Sequence, residues 1–460
     1  MQLKENGKLG RLWRVILLSI FIVLVLIVSY FFLVVDQGVE RRELVGEPEN
    51  YQIPKEIGGL SWTWVGEDPN RNSSVHAIPQ GALIATAHGV FALDGKSGEE
   101  IWSFSDSSVG EISSEWHELL DEATQVSPDM QHVMHVTEYV NGDGGDGSSR
   151  FGFEVLDSVS GESVQSGSLD SQGPEEALYE AGVLTDKGRA FFSVDQEIGE
   201  YSLGLVSFDS ESVWDKNAVE LCDSGDPSSV DFSAFPEVLI SSVECSEGTF
   251  LLGFDMDSGE VSWRIDSGSV ALPDSFLRVR NVGDYAALSS SDSDFSAPGS
   301  LGVEEVVIDP QTGNIISEGP VLDEREYPVL TTGEGYLIDV NDREGEESDR
   351  GYILQDFQGD FVKDVVRSDG EISRSPSDIL LLEGGVVERK LRDLVSKEYL
   401  DSGVIRFVSW RGEEVEIELP CPEAQGGLQN FLAVPGAVVS IDRDAGCGSG
   451  EGKVTVNGFR

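Results

Sequence analysis

One phrase recurs along this chain, and it constrains the fold more than any other feature. An apolar strand ends in Asp, a turn carrying Ser or Thr and then Gly follows, and a second strand begins. The phrase reads VFALDGKSGEEIWSF from Val90, FEVLDSVSGESVQSG from Phe153, LGFDMDSGEVSWRI from Leu252 and VVIDPQTGNIISEG from Val306. Weaker copies start at Val206 and Leu354, and a degenerate one at Phe407. With Asp94, Asp157, Asp209, Asp255, Asp309, Asp356 and Trp410 as equivalent points, the intervals are 63, 52, 46, 54, 47 and 54 residues. Several strands per unit, repeated at such a period, signal the blades of a β-propeller. The turn chemistry fits. The carboxylates of Asp94, Asp157, Asp255 and Asp309 can accept amides two residues on, and Gly98, Gly161, Gly259 and Gly313 can take the positive φ of a tight turn.

The two ends of the repeated region complement each other. Residues 60–65, LSWTWV, resemble the strand after each turn but have no three strands before them. Strands expected at 430–434, 437–441 and 453–457 have no fourth after them. Pairing the first segment with the last set would complete one blade and hide two sheet edges. Seven repeats plus one composite blade predict an all-β, eight-bladed propeller. A seven-bladed ring is the alternative if a weak repeat is misread.

Residues 15–35 form 21 consecutive positions without a charge, and about 20 suffice to span a bilayer as a helix. Lys4, Lys8, Arg11 and Arg14 precede the run against Glu5 alone. The positive-inside bias then predicts a cytoplasmic N-terminus and an exported remainder. A cleaved signal peptide is the other reading, but its apolar core is shorter, about 7–15 residues, and ends in small residues. This run ends in Tyr30, Phe31, Phe32 and Leu33. The expected organisation is a tail at 1–14, a transmembrane helix at 15–35, a linker at 36–56 and a propeller at 57–460, in the cell membrane with the propeller extracytoplasmic.

Charge narrows the partners. The chain carries 84 Asp and Glu against 31 Lys and Arg, a net charge of −53. The first 35 residues hold four positives and one negative, so the rest carries −56. Nucleic-acid binding through a broad basic face is excluded, as is docking of the folded part on anionic lipid. With 39% apolar residues the chain is nonetheless able to build a large core. Cys222, Cys245, Cys421 and Cys447 all lie in the exported part, where disulfides form. Three connectivities are possible, and separations of 23 and 26 residues favour Cys222–Cys245 and Cys421–Cys447. No CxxC spacing points to zinc.

The segment ALDGKSGEEIW at 92–102 resembles the tryptophan-docking repeat of the quinoprotein-dehydrogenase-like, or PQQ-like, β-propellers. The resemblance implies eight four-stranded blades over residues 57–460. Trp102 and Trp263 match the docking Trp, and the other repeats are expected to lack it. Enzymes of that family hold pyrroloquinoline quinone over calcium, near adjacent cysteines and a catalytic Asp. Adjacent cysteines are absent here. The resemblance is therefore closer to the family's non-enzymatic members, and implies a binding or scaffold module with an envelope protein, peptide or glycan partner. The alternative is a degenerate quinoprotein-type oxidoreductase, or another enzyme with a site at the channel. No catalytic, cofactor-binding or metal residue is assigned.

Remaining signals are weaker. His132 and His135 are three apart, so on a strand they face opposite sides and do not make a metal pair. Residues 141–147, NGDGGDG, depart from the calcium-loop pattern by placing Asp146 where Gly is needed. There and at 342–349 calcium is the one cofactor left open. Asn72-Ser73-Ser74 is a glycosylation sequon. Residues 111–123 carry Ile112, Trp116, Leu119 and Leu120 at helical spacing. Residues 388–399, rich in basic side chains, are a second expected helix, fit either to meet an acidic partner or simply to offset the surrounding acid.

Overall fold

The computed structural model describes residues 39–41, 51–67, 73–86, 89–106, 123–140, 149–171, 173–195, 200–217, 221–223, 227–270, 277–290, 305–322, 326–341, 350–366, 379–391, 401–419, 431–442 and 453–460. Among them the strands form eight antiparallel sheets that follow one another in chain order. Blade one runs from the inner strand Ser74–Ile78 through Gly81–Thr86 and Gly89–Asp94 to the outer strand Glu100–Asp106. Blade eight joins Phe431–Val434, Ala437–Asp442 and Lys453–Phe459 to Leu60–Glu67. The pairing of Leu60 with Phe459 and of Glu67 with Lys453 closes the ring as the complementary ends predict. The chain is an eight-bladed β-propeller.

Packing explains why the strands read as they do. The second strand of each blade is sandwiched between its neighbours, so Gly81–Thr86, GALIAT, is buried throughout. Outer strands alternate, as in Leu60–Glu67, where Trp62 is buried and Leu60 and Val65 are exposed. The core is not one mass. Among the described residues it falls into eight apolar layers, each between two consecutive blades. One joins Ile84 and Leu93 of blade one to Val439 and Val456 of blade eight, so the last interface is as apolar as the others. Inner strands of neighbouring blades touch from blade seven through blades eight and one to blade five.

Two segments before the ring reinforce it. Val39–Arg41, inside the expected linker, adds a fifth strand to blade one, with Val39 opposite Asp106. Residues 51–57 cross the face that carries the turns. Tyr51 donates to Asp94 at 2.8 Å, Gly436 N–H to the Gln52 carbonyl at 3.0 Å, and Gly384 N–H to the Lys55 carbonyl at 2.9 Å. Ile57 is then buried between blades seven and eight.

Several expectations are corrected. The expected helix at 388–399 begins inside a strand, Gly385–Leu391, in which Glu388 and Arg389 are buried. The Asp209 and Trp410 repeat points shift to Ser207 and Ser409, because turns there close from Ser207 N–H to Glu211 and from Ser409 N–H to Glu413. A helix absent from the sequence reading, Pro174–Ala181, stands before blade three. Among the described residues no helix is long and apolar enough to cross a membrane, and the run at 15–35 lies outside them. The expected helix at 111–123 lies outside them too, except for Ala123, as do Asn72, residues 141–147 and 342–349, Cys421 and Cys447.

Candidate functional site

The repeat turns were the residues most clearly marked in the sequence, and they build the ring rather than a reaction centre. Asp94 Oδ1 accepts the Lys96 and Ser97 amides at 3.0 and 2.8 Å. Asp157 does the same for Val159 and Ser160, and Asp255 for Asp257 and Ser258. Asp309 accepts from Gln311 N–H and from the Thr312 hydroxyl, both at 2.8 Å. Gly98, Gly161, Gly259 and Gly313 all have φ between 66° and 71°.

Each of those glycines is the floor for a tryptophan of the preceding blade. The Trp102 indole lies on Gly161 and donates to the Ser158 carbonyl at 3.0 Å, and Trp263 does so to Pro310 at 2.9 Å over Gly313. Trp62 and Trp214 take the same part, over Gly98 and Gly259, donating to Gly95 and Met256. The expectation that only two repeats keep the docking tryptophan is thereby corrected to four. Cys222 and Cys245 form a disulfide with Cα atoms 5.7 Å apart, tying the approach to blade four to its second strand.

The functional candidate is the axis of the ring. A cavity of about 820 Å³ opens there between blades two and five. It exists because blade three has an inner strand of only two residues, Val183–Leu184, where blade four has the seven of Ser229–Phe235. The helix Pro174–Ala181 fills part of the shortfall. Pro174 opens it, Glu175 and Glu176 lie in the first turn, and Gly182 ends it with φ +76°, all favourable to a short helix. Arg189 caps its far end by donating to the Glu180 and Ala181 carbonyls at 2.9 and 2.7 Å. Gln125 of blade two fastens the short strand, donating to the Gly182 carbonyl and accepting the Leu184 amide.

The cavity wall mixes charge and apolar surface. Asp231, Glu175 and Arg278 reach it with Phe232 and Tyr179. Desolvation by the surrounding wall raises the Asp231 carboxyl above its usual range, and the Phe232 amide and Arg278 only partly oppose this. Asp231 Oδ1 accepts the Phe232 amide at 2.9 Å. Nearby Arg280 is held by Glu305 through both carboxylate oxygens, at 3.0 and 3.1 Å. Among the described residues no histidine lines this cavity. His135 is fully buried in blade two with Nδ1 2.8 Å from Thr124 Oγ1, and His132 stacks on Phe208 at 3.9 Å. A channel follows from the ring, but its wall residues are not legible in the sequence because they come from four separate repeats. The helix does carry a sequence signal, Pro-Glu-Glu at 174–176 and Gly182 after it.

No family model matches the chain, and no curated protein matches it in sequence. Solved structures resemble it. BamB from Moraxella catarrhalis is 12% identical over 86% of this chain and 98% of that one, with a TM-score of 0.36. Saccharomyces cerevisiae Sqt1 is 12% identical over 90% and 99%, with a TM-score of 0.39. Porphyromonas gingivalis dipeptidyl peptidase 4 is 10% identical over 82% of this chain and 56% of that one, with a TM-score of 0.41. At these identities the likeness says nothing of activity.

Proposed function

We propose that this chain is a single-pass, membrane-anchored propeller of the PQQ-like kind, acting outside the cytoplasm as a binding or scaffold module of the cell envelope. The observation that carries the reading is the channel mouth. It is lined by polar and charged residues such as Gln125, Asp231 and Arg278 beside apolar ones such as Leu178, Val230 and Phe232, which suits recognition of another molecule. The four docked tryptophans support the PQQ-like part of the reading, and the apolar run at 15–35 with its basic flank supports the anchor.

The test is cross-linking with mass spectrometry in intact cells, paired with protease added outside. Cross-links from blades two to five to an envelope component, with the propeller cleaved from outside, are the expected result. A propeller protected from external protease, or cross-links to itself alone, would overturn the reading.

A further inference from the structure

We infer that the channel takes an extended, basic peptide by strand addition to the inner edge of blade four. The inference rests on the binding-module reading. Its first support is the shape of the wall. Val230 to Phe235 line the cavity without a gap. A strand that presents a face shows every other residue, whereas one that presents an edge shows all of them. Ser229–Phe235 is the terminal strand of its sheet, bonded to Val238–Cys245 on one side only. Its second row of N–H and C=O groups therefore faces the axis, and such a row is a template for another strand.

Around a closed propeller this edge is usually shielded by the inner strands beside it. Here the neighbour on the blade-three side is reduced to Val183–Leu184, and the cavity opens over the gap. On the other side Ser233 Oγ donates to the Val279 carbonyl at 3.0 Å, fixing blade four against blade five. Between the buried Val230 and Phe235, Asp231 to Ala234 leave about 13 Å of edge open to solvent, enough to pair the middle of an extended peptide.

The second support is charge. Among the described lining residues, Asp231 and Glu175 against Arg278 leave the wall net acidic, on a chain of −53. Asp231 now accepts the amide of its own neighbour, Phe232. An incoming peptide carbonyl can take that amide and free the carboxylate for a Lys or Arg side chain. An acidic peptide would meet repulsion instead.

The experiment uses the full chain in detergent micelles with three fluorescein-labelled nonapeptides: alternating Lys and Val, alternating Glu and Val, and the Lys peptide N-methylated at every second residue. The Lys peptide should bind saturably. The Glu and N-methylated peptides should each bind at least about tenfold more weakly, the worth of one good hydrogen bond to a charged group. Hydrogen exchange at residues 229–235 should slow on binding, and Asp231→Asn should weaken the Lys peptide without changing the melting temperature. Equal binding of the Lys and N-methylated peptides, or unchanged exchange at 229–235, overturns the inference and leaves adsorption to an acidic surface. That failure is distinct from failure of the binding-module reading, which the cellular cross-links decide without these peptides.

Discussion

Glu388 and Arg406 sit directly opposite each other on neighbouring strands of blade seven, and both are shut off from solvent. The Arg406 Nε donates to Glu388 Oε1 at 2.5 Å, and the Tyr352 hydroxyl of blade six reaches Glu388 Oε2 at 2.8 Å. A buried pair of this kind owes its worth to completeness, because either ion alone is left desolvated and uncompensated. Arg406→Met should therefore destabilise the protein by about 3–5 kcal/mol. Tyr352→Phe should cost about 1.5–3 kcal/mol, the value of a hydrogen bond to a charged group. Replacing both ions, as in Glu388→Met with Arg406→Met, should recover most of the loss. Urea titrations of the four proteins check this, and a double variant weaker than Arg406→Met would refute it.

The same pair shows where a sequence stops being legible. Glu388, Arg389 and Lys390 read as a solvated helix because nothing local tells of Arg406 or Tyr352. The Asp-turn-Gly phrase was legible for the opposite reason. Asp94 Oδ1 takes its bonds from within three residues, so composition and spacing carry the turn. Where the turn is one residue shorter, as from Ser207 to Glu211, the pattern slides and points to Asp209 instead. Eight blades could be counted because the repeat is local. The channel could not be drawn, because Gln125, Asp231 and Arg278 meet only once the ring closes.

Trp102 and Gly161 should behave as one unit. Gly161 has φ +71°, and a Cβ there would lie 2.7 Å from the Trp102 ring. Gly161→Ala must both strain the backbone and displace the indole, whereas Trp102→Ala removes a side chain only 1% exposed. Trp102→Ala should cost about 3–5 kcal/mol. The double variant should cost less than the two single losses together, by about 0.5–3 kcal/mol. Strict additivity in thermal or urea unfolding would show that the two do not touch in solution.

Removing the Cys222–Cys245 bridge frees a loop of 23 residues. Loop closure of that length is worth about 3 kcal/mol in the chain-entropy account. Cys222→Ala with Cys245→Ala should lower stability by roughly that much. Reduction with dithiothreitol should lower the wild-type melting temperature and leave this double variant unmoved with respect to that bridge. A wild type indifferent to its removal by mutation would mean the bridge does not form.

Burial pushes His135 down to about 4, with a smaller push from His76. In the native state the neutral form is favoured, while the unfolded chain binds a proton near 6.5. The unfolded state then holds more protons between those values, so this contribution is complete above about 6.5 and is lost as pH falls towards 4. The loss is on the order of 3 kcal/mol for a group so buried. His135→Gln keeps a partner for Thr124 and removes the titration. The difference in unfolding free energy between wild type and this variant should shrink on acidification from pH 7 to 4. A difference independent of pH would place His135 in water.

Salt should stabilise this protein. Among the described residues only Glu138, Glu305, Asp339 and Glu388 of the acids are buried, so the charge there is mostly a surface matter. Like charges at that density oppose the compact state, and expansion relieves them. Screening shortens their reach from about 10 Å at 0.1 M to about 3 Å at 1 M ionic strength. The same salt also weakens exposed ion pairs such as Lys55–Glu383 and Lys216–Glu260, but each is worth only about 0.2–1 kcal/mol. With 31 cations for 84 anions, repulsions outnumber the pairs that screening removes. The melting temperature should therefore rise steadily from 0.05 to 1 M NaCl, about equally in KCl, since diffuse screening does not distinguish the two ions. A flat or falling curve would refute this. Magnesium chloride at matched ionic strength separates two causes of a rise: equal stabilisation means screening, while a larger effect at millimolar concentration means cations held at particular carboxylates.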